Sequence, residues 1–390
     1  MNKKNINKTI IALNLITMTI CFFLYQFLGS GLQIHGAKYH LGTRSYISIY
    51  SQATLMGLLI VFLCLFKKMH SFQSQRVLLL SLLGLLFAFL FFPTYLHSTT
   101  IVFLSNMVLD LLEPWRQAFV SPSYRAIIEV LQVSVEGVLH ALIYYKMSVE
   151  FFNEYVRAFK YIGGGIFILL LSFVMVMRVL KNFPTRSESE KKDHHQTLHT
   201  LIRANLDVFL LAVMAGFAVS AQQFAITYVN NIPKYNGSQY VELFFVSGGV
   251  MLPLFIGYFA DKKGIAKVAF RASLLLVILK FVSVLATSVV EPPVFFALFG
   301  IFVAGGISQV LPALTIALVG HRFSALRLFA AWALSSLFIR LGQEMAAQVY
   351  AISFGIYHSF ALTQFITGLC MLILLLGAWQ FKQDNLKTNK

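Results

Sequence analysis

Long apolar runs separated by short polar breaks fill most of this chain. Each run is about 20 residues or longer, which is the length that an α-helix needs to cross the hydrocarbon core of a bilayer. The runs are continuous rather than alternating, which disfavours a β-barrel. The pattern predicts about twelve spans, at positions 9–33, 46–66, 77–96, 100–120, 125–145, 159–180, 205–230, 239–260, 268–290, 293–319, 325–350 and 356–381.

The composition leads to the same class of protein. Hydrophobic residues make up 58% of the chain and charged residues only 12%, and the mean hydropathy is +0.75. Soluble domains carry about twice that charged fraction. The first run follows Lys3, Lys4 and Lys8 as a secretory signal would, but it is too long and lacks a small-residue cleavage site, so it is interpreted as a retained span. The prediction is an all-α integral membrane protein.

The net charge of +16 is distributed unevenly between the predicted loops. Basic residues concentrate in alternate loops, for example at 67–76, 181–203 and 262–271, which share the side of the N-terminus if there are twelve spans. The positive-inside rule therefore places both termini in the cytoplasm, in a multi-pass protein of the cytoplasmic (inner) membrane. The same placement argues against nucleic acid as a partner.

One long polar stretch divides the chain. The predicted organisation is an N-terminal bundle of about six helices at 1–180, a cytoplasmic linker at 181–204 and a C-terminal bundle of about six helices at 205–390. Two such halves are typical of transporters with an internal repeat, whose substrate site lies near the midplane between the halves.

The short stretch "GYFADKKGIAKV" joins the eighth and ninth predicted spans. Gly257 permits close approach of another helix, and Gly264 can adopt the positive φ of a tight turn. Asp261 is placed where the N-terminus of a neighbouring span could hold it, while Lys262 and Lys267 keep the turn on the cytoplasmic face.

This glycine–acid–base–glycine spacing resembles the signature turn of the major facilitator superfamily, although Ile265 and Ala266 replace the basic pair that usually follows the second glycine. The resemblance implies a fold of twelve helices in two six-helix halves. It also implies that the turn latches the cytoplasmic ends of helices and helps to set the inward/outward equilibrium. The equivalent first-half loop, "FKKMHSFQSQRV", is basic but lacks the glycine–acid core. The glycine-rich fifth-span signature of drug/proton antiporters is missing as well.

Ionisable residues inside spans are costly and are therefore candidates for function. A carboxyl group in a low-dielectric cavity can exchange protons near neutral pH. The proton-coupling candidates are Glu136, Glu344, Glu113 and Asp110. The substrate-cavity candidates are Arg340, Arg116, Lys280, Gln222, Gln223, Gln309, Tyr50 and Gln26. The alternative is structural: Glu113 with Arg116, and Arg340 with Glu344, can form intrahelical pairs that only neutralise each other.

The functional prediction is a secondary active transporter of a small organic molecule, coupled to protons, with efflux favoured over uptake. An uptake permease, a facilitator and a transport-inactive sensor remain alternatives. The expected partners are the lipid bilayer, the substrate and H+, and the chain is expected to be a monomer. Without a P-loop or a catalytic motif no enzyme activity and no cofactor are predicted. His194, His195 and His199 are interpreted as solvated loop residues, as histidines in a short polar loop usually are, and no metal site is predicted there.

Overall fold

The structure is a computed structural model that describes residues 120–146, 202–230, 239–289, 294–323, 325–357 and 359–388, together with 11, 12, 15, 16 and 19. Every regular element in these ranges is helical. The elements are a 3₁₀ helix Pro122–Tyr124 and the α-helices α1 (Arg125–Lys146), α2 (Leu206–Asn230), α3 (Gln239–Lys263), α4 (Ile265–Val289), α5 (Val294–Arg322), α6 (Ala325–Tyr357) and α7 (Phe360–Thr388).

The described helices coincide with seven predicted spans, beginning with 125–145 and continuing from 205–230 to the last span. Within this part of the chain, five helices are long and apolar enough to cross a membrane: α2, α3, α4, α5 and α7. The all-α membrane class is confirmed. Apart from residues 11, 12, 15, 16, 19 and 120 and positions 202–204 of the linker, the remaining predicted spans and the linker lie outside the described residues.

The boundary between the last two helices differs from the prediction. The sequence places residues 356–381 in the final span, whereas the structure keeps Ile356 in α6 and begins α7 at Phe360. Ser359 caps α7, because its Oγ accepts from the Leu362 amide at 3.4 Å and its carbonyl accepts from the Thr363 amide at 3.1 Å. Hydropathy alone missed this capping signal.

Ser121–Val138, Gln196–Arg322 and Leu334–Lys390 form one of two compact units of the chain. Inside this unit, glycines bring helices together at very short range. A Cβ on Gly216 of α2 would collide with the Ile339 carbonyl of α6, and a Cβ on Gly342 of α6 would collide with the Val213 carbonyl of α2. Small residues at crossing points are typical of helix packing in membranes.

Aromatic contacts supplement these crossings. The ring of Phe209 on α2 stacks on Phe338 of α6 with centroids 5.3 Å apart. The rings of Phe281 on α4 and Phe365 on α7 pack edge to face with their centroids 5.8 Å apart. These contacts fix α2 against α6 and α4 against α7.

A single residue joins α3 to α4. Gly264 has φ +94°, and a Cβ there would meet nothing within 4 Å. Its amide donates to the Ala260 carbonyl at 3.0 Å, and its carbonyl accepts from the Val268 amide at 3.1 Å. Gly264 therefore closes α3 and opens α4 at once, as the sequence predicted for its backbone. Asp261 is thereby held in a fixed position beside the turn.

Candidate functional site: the latch between α1 and the α3–α4 turn

Asp261 caps the N-terminus of α1. Its Oδ1 accepts from the Ala126 amide and its Oδ2 from the Ile127 amide, both at 2.9 Å. These amides lie in the first turn of α1, where the helix has no internal acceptors for them, and that turn contains no acidic residue of its own. Asp261 thus supplies both the acceptors and the negative charge that a helix N-terminus favours. We call this contact the latch.

Below the latch, α1 and α3 stay in contact along one stripe. A Cβ on Gly257 would lie 3.0 Å from Val130 Cγ2 and 3.3 Å from Ile127 Cα, so glycine permits this approach, and a methyl group there would push Val130 or α1 away by a few tenths of an ångström. Further along, Ser134 Oγ donates to the Val250 carbonyl of α3 at 2.9 Å. A Cβ on Gly137 would lie 3.2 Å from Val250 Cγ2. The contacts run in opposite directions along the two sequences, so the helices are antiparallel here.

The first turn of α1 is also joined to α5. Arg125 Nη1 donates to the carbonyl of Gly320, in the last turn of α5. A carbonyl in a last turn has no partner within its own helix, and a cation there is favoured by the helix dipole. The end of α1 is therefore held by Asp261 on one side and by α5 on the other.

Beside this contact, α5 is tied to α2 by an ion pair. Arg322 Nη1 and Nη2 donate to Asp207 Oδ1 and Oδ2 at 2.8 Å and 2.6 Å. Asp207 is fully buried in the first turn of α2, whereas the Arg322 side chain is 28% exposed. The bidentate geometry is the strong form of such a pair.

The lysines of the turn point outward. Lys262 Nζ lies 4.3 Å from the centroid of the Tyr258 ring, and Lys263 Nζ lies 5.3 Å from that of Phe259. Lys262 and Lys267 are exposed. Cation–π contacts at the end of a span suit a turn at the membrane surface.

The predicted proton-coupling acids in the described ranges lie on two helices. Glu136 on α1 is half-buried, and its Oε1 accepts from Gln132 Nε2 at 2.9 Å. Glu344 on α6 is exposed. Arg340 donates to Gln343 Oε1 at 2.9 Å, and no ion pair joins it to Glu344 in the part of the chain that the structure describes. The structural alternative of an Arg340–Glu344 pair is therefore not what this structure contains.

The predicted cavity residues in the described ranges lie on four helices, α2, α4, α5 and α6. Gln222 on α2 is buried and Gln223 beside it is exposed. Gln309 on α5 packs near Gly249 of α3. Lys280 on α4 is buried against α2 and α7. The other candidates lie outside the described residues: Asp110, Glu113, Arg116, Tyr50 and Gln26.

Sequence reasoning missed three parts of this region. Arg125, Asp207 and Arg322 are not among the candidates that the sequence pattern indicates. An acid in a first turn and a base in a last turn are detectable signals, and Asp207 and Arg322 occupy such positions. The contact of Arg125 with a backbone carbonyl leaves no such signal in the sequence.

Comparison with known proteins identifies the fold. No protein-family model matches the sequence, and a search of curated proteins finds no match. The structure is similar to the human organic anion transporter MFSD10, at 15% identity over 97% of this chain and 100% of that one, with a TM-score of 0.63. It is similar to the Escherichia coli fucose:proton symporter FucP, at 12% identity over 95% and 98% of the two chains, with a TM-score of 0.63.

A bacterial homologue of the iron transporter ferroportin, in an outward-facing state, aligns over 96% of this chain and 99% of its own, at 10% identity and a TM-score of 0.71. The proton:xylose symporter XylE, a member of the major facilitator superfamily, aligns over 96% of both chains at 13% identity and a TM-score of 0.65. The chain has the fold of the major facilitator superfamily, and the fold predicted from the signature turn is confirmed.

Proposed function

We propose that this chain is a secondary active transporter that moves a small organic molecule across the cytoplasmic membrane by alternating access. The observation that carries the proposal is the latch itself. Asp261, in the last turn of α3, caps α1 more than 130 positions away in sequence, and it does so only through two hydrogen bonds to backbone amides, a contact that can form and break during a transport cycle. The likeness to solved transporters over nearly the whole chain supports it.

The latch offers a physical basis for two states. Its closed form satisfies two amides of α1 with one carboxylate, and the Gly257 contact aligns α1 and α3. In the open form water would replace the carboxylate at these amides. The exchange of partners keeps the difference in free energy between the states small, as a reversible switch requires.

Proton coupling is proposed for Glu136 and Glu344. Glu344 is exposed on α6 and shares a helix face with Arg340 and Gln348, four positions away on either side. A carboxylate on a membrane helix is tolerated where it faces water rather than lipid, so this stripe suits a water-filled path for the substrate. FucP, described as a fucose:proton symporter, has the same fold.

The proposal is tested with purified protein in liposomes. Counterflow of radiolabelled sugars, organic anions and amphipathic cations identifies a transported compound, and its gradient-driven flux is then measured together with proton movement. We expect Glu136→Gln or Glu344→Gln to abolish proton-driven accumulation while counterflow continues, because exchange needs no net proton transfer. Lys263→Gln, which removes an exposed charge from the turn, is the control and should retain both activities.

Each alternative has its own result. Counterflow without any proton movement in the wild type would contradict coupling and favour a facilitator. Saturable binding of a compound without counterflow would contradict transport and favour a sensor. In vesicles of known orientation, movement of the compound from the cytoplasmic to the external side of the protein would support efflux, the direction that the sequence-based prediction favours.

A further inference from the structure

A lysine is buried inside the helices that follow the linker. Lys280 on α4 is only 3% exposed. Its Nζ donates to Gln364 Oε1 on α7 at 2.9 Å and lies 3.5 Å from the Ala221 carbonyl of α2. Among the residues that the structure describes, no carboxylate forms an ion pair with Lys280. The ammonium group is thus surrounded by oxygens that carry no formal charge.

The polar groups around Lys280 that lack hydrogen-bond partners are donors, not acceptors. Gln364 is 2% exposed, and its Nε2 has no hydrogen-bond partner. The orientation of its amide is set by Lys280, because a rotated amide would direct its N–H groups at the ammonium. The ammonium itself has three donors and two oxygen neighbours. An ammonium group without a counter-charge and an N–H group without an acceptor therefore lie at the same place.

Nearby hydroxyl groups are already committed. Thr367 Oγ1 donates to the Gln364 carbonyl at 2.9 Å, and Thr363 Oγ1 donates to the Ser359 carbonyl at 2.8 Å. Both threonines are fully buried. They hold the α7 backbone at Gln364 and contribute no negative charge to the cluster.

A ligand that matches this cluster must supply negative charge and accept hydrogen bonds. Water supplies an acceptor without the charge, and a cation would add to the positive charge already present. A buried charge without a counter-charge is strongly unfavourable in proteins. We infer that Lys280 and Gln364 form a binding site for a small monovalent anion, either a halide ion or the carboxylate group of an organic solute.

Anion binding here is independent of proton coupling and of the latch, and it can be measured without a known substrate. The full-length protein in detergent is heated while tryptophan fluorescence reports unfolding, in sodium chloride or sodium acetate at ionic strength matched with sodium isethionate. We expect the unfolding midpoint of the wild type to rise saturably by about 2 °C or more with the bound anion. Isethionate, which is larger than chloride and carries a sulfonate group in place of a carboxylate, should have no such effect.

Variants locate the effect at the cluster. Lys280→Met should abolish the anion response and still fold, because an apolar side chain of similar length is tolerated in place of a buried charge. Gln364→Leu should raise the half-saturating concentration about tenfold, since one hydrogen bond to the anion is lost. Arg271→Gln, which removes an exposed charge from the same helix, should respond like the wild type.

The outcomes separate the two sources of the anion. A response to chloride supports an inorganic ion, and a response to acetate alone supports a carboxylate ligand. Equal behaviour of the wild type and Lys280→Met in every salt would overturn the assignment. If Lys280→Met does not fold, an unchanged half-saturating concentration in Gln364→Leu would overturn it equally.

Discussion

Replacing Asp261 by asparagine tests the latch with a change of only a few atoms. The carboxylate accepts two backbone N–H groups at 2.9 Å, one on each oxygen. Asparagine keeps one acceptor and turns an NH₂ group toward the other amide. The variant therefore loses one charge-assisted hydrogen bond and the attraction of the charge to the α1 dipole.

The size of the effect follows from these losses. A hydrogen bond to a charged group contributes about 1.5–3 kcal/mol, and a charge at a helix N-terminus contributes about 0.3–1 kcal/mol near a surface. Asp261 is half-buried, so the lower part of this range applies. A loss of about 2 kcal/mol raises the population of the open latch about 30-fold.

Cysteine alkylation measures this population. Val130 is fully buried against Gly257, so a cysteine at position 130 reacts with a maleimide only when the contact opens. The three native cysteines, Cys21, Cys64 and Cys370, are first replaced by serine. We expect Asp261→Asn to accelerate alkylation of Val130→Cys by about 10- to 100-fold.

The control changes one charge in the same turn. Lys263 is exposed, and Lys263→Gln should alter the alkylation rate by less than about twofold. If Asp261→Asn reacts no faster than Lys263→Gln, the carboxylate does not hold the latch and the reasoning fails.

Three further substitutions test the surrounding contacts. Gly257→Ala should open the latch because its methyl group meets Val130 and the α1 backbone, and the yield of cross-links between α1 and α3 should fall. Adding Val130→Ala makes room for the methyl group and should recover part of that yield. Gly264→Ala should lower the free energy of unfolding by about 1 kcal/mol through its positive φ alone, with Gly264→Asn less affected, as thermal unfolding would report. Arg322→Gln should destabilise by about 2–4 kcal/mol because it leaves the Asp207 carboxylate buried and unpaired, and combining it with Asp207→Asn should restore much of the stability; equal losses in the single and double variants would contradict this.

The sequence could predict the turn but not what the turn touches. The glycine and aspartate positions from Gly257 to Gly264 are local, so their spacing predicted a close helix approach, a positive φ and a cap for some neighbouring helix. The partner is a pair of backbone amides in α1, and amides at a helix end have no residue type that marks them. The structure was needed to identify α1 as that neighbour.

The membrane-embedded side chains show the same limit. Arg340 and Glu344 are four apart, which allowed an intrahelical pair, but Arg340 bonds to Gln343, which is also within reach on a helix. The partner of Lys280 is Gln364, at a separation of 84 residues, and it is set by the packing of α4 against α7. Composition placed these residues in the membrane, whereas tertiary packing decided what each one contacts.

The distribution of polar groups along α1 and α3 explains why this contact can separate inside a membrane. When the contact opens, the Asp261 carboxylate and two amides of α1 need new hydrogen-bond partners. These groups lie beside the exposed residues Lys262 and Lys263, where water can supply those partners. Deeper in the stripe, the contacts are mainly between glycines and aliphatic side chains, which leave no unpaired donor when they part.

Ser134 is the polar side chain of that deeper stripe, and its hydroxyl also lies 3.1 Å from the Val130 carbonyl of its own helix. When α3 withdraws, this hydroxyl keeps an acceptor, so Ser134 is not left unsatisfied in the hydrocarbon core, where an unpaired hydroxyl would cost several kcal/mol. A polar contact with no such second acceptor at this depth would make separation prohibitive. The contacts at Gly257, Ser134 and Gly137 can therefore separate without leaving an unpaired polar group, so the polar contact that holds the stripe together is the one made by Asp261.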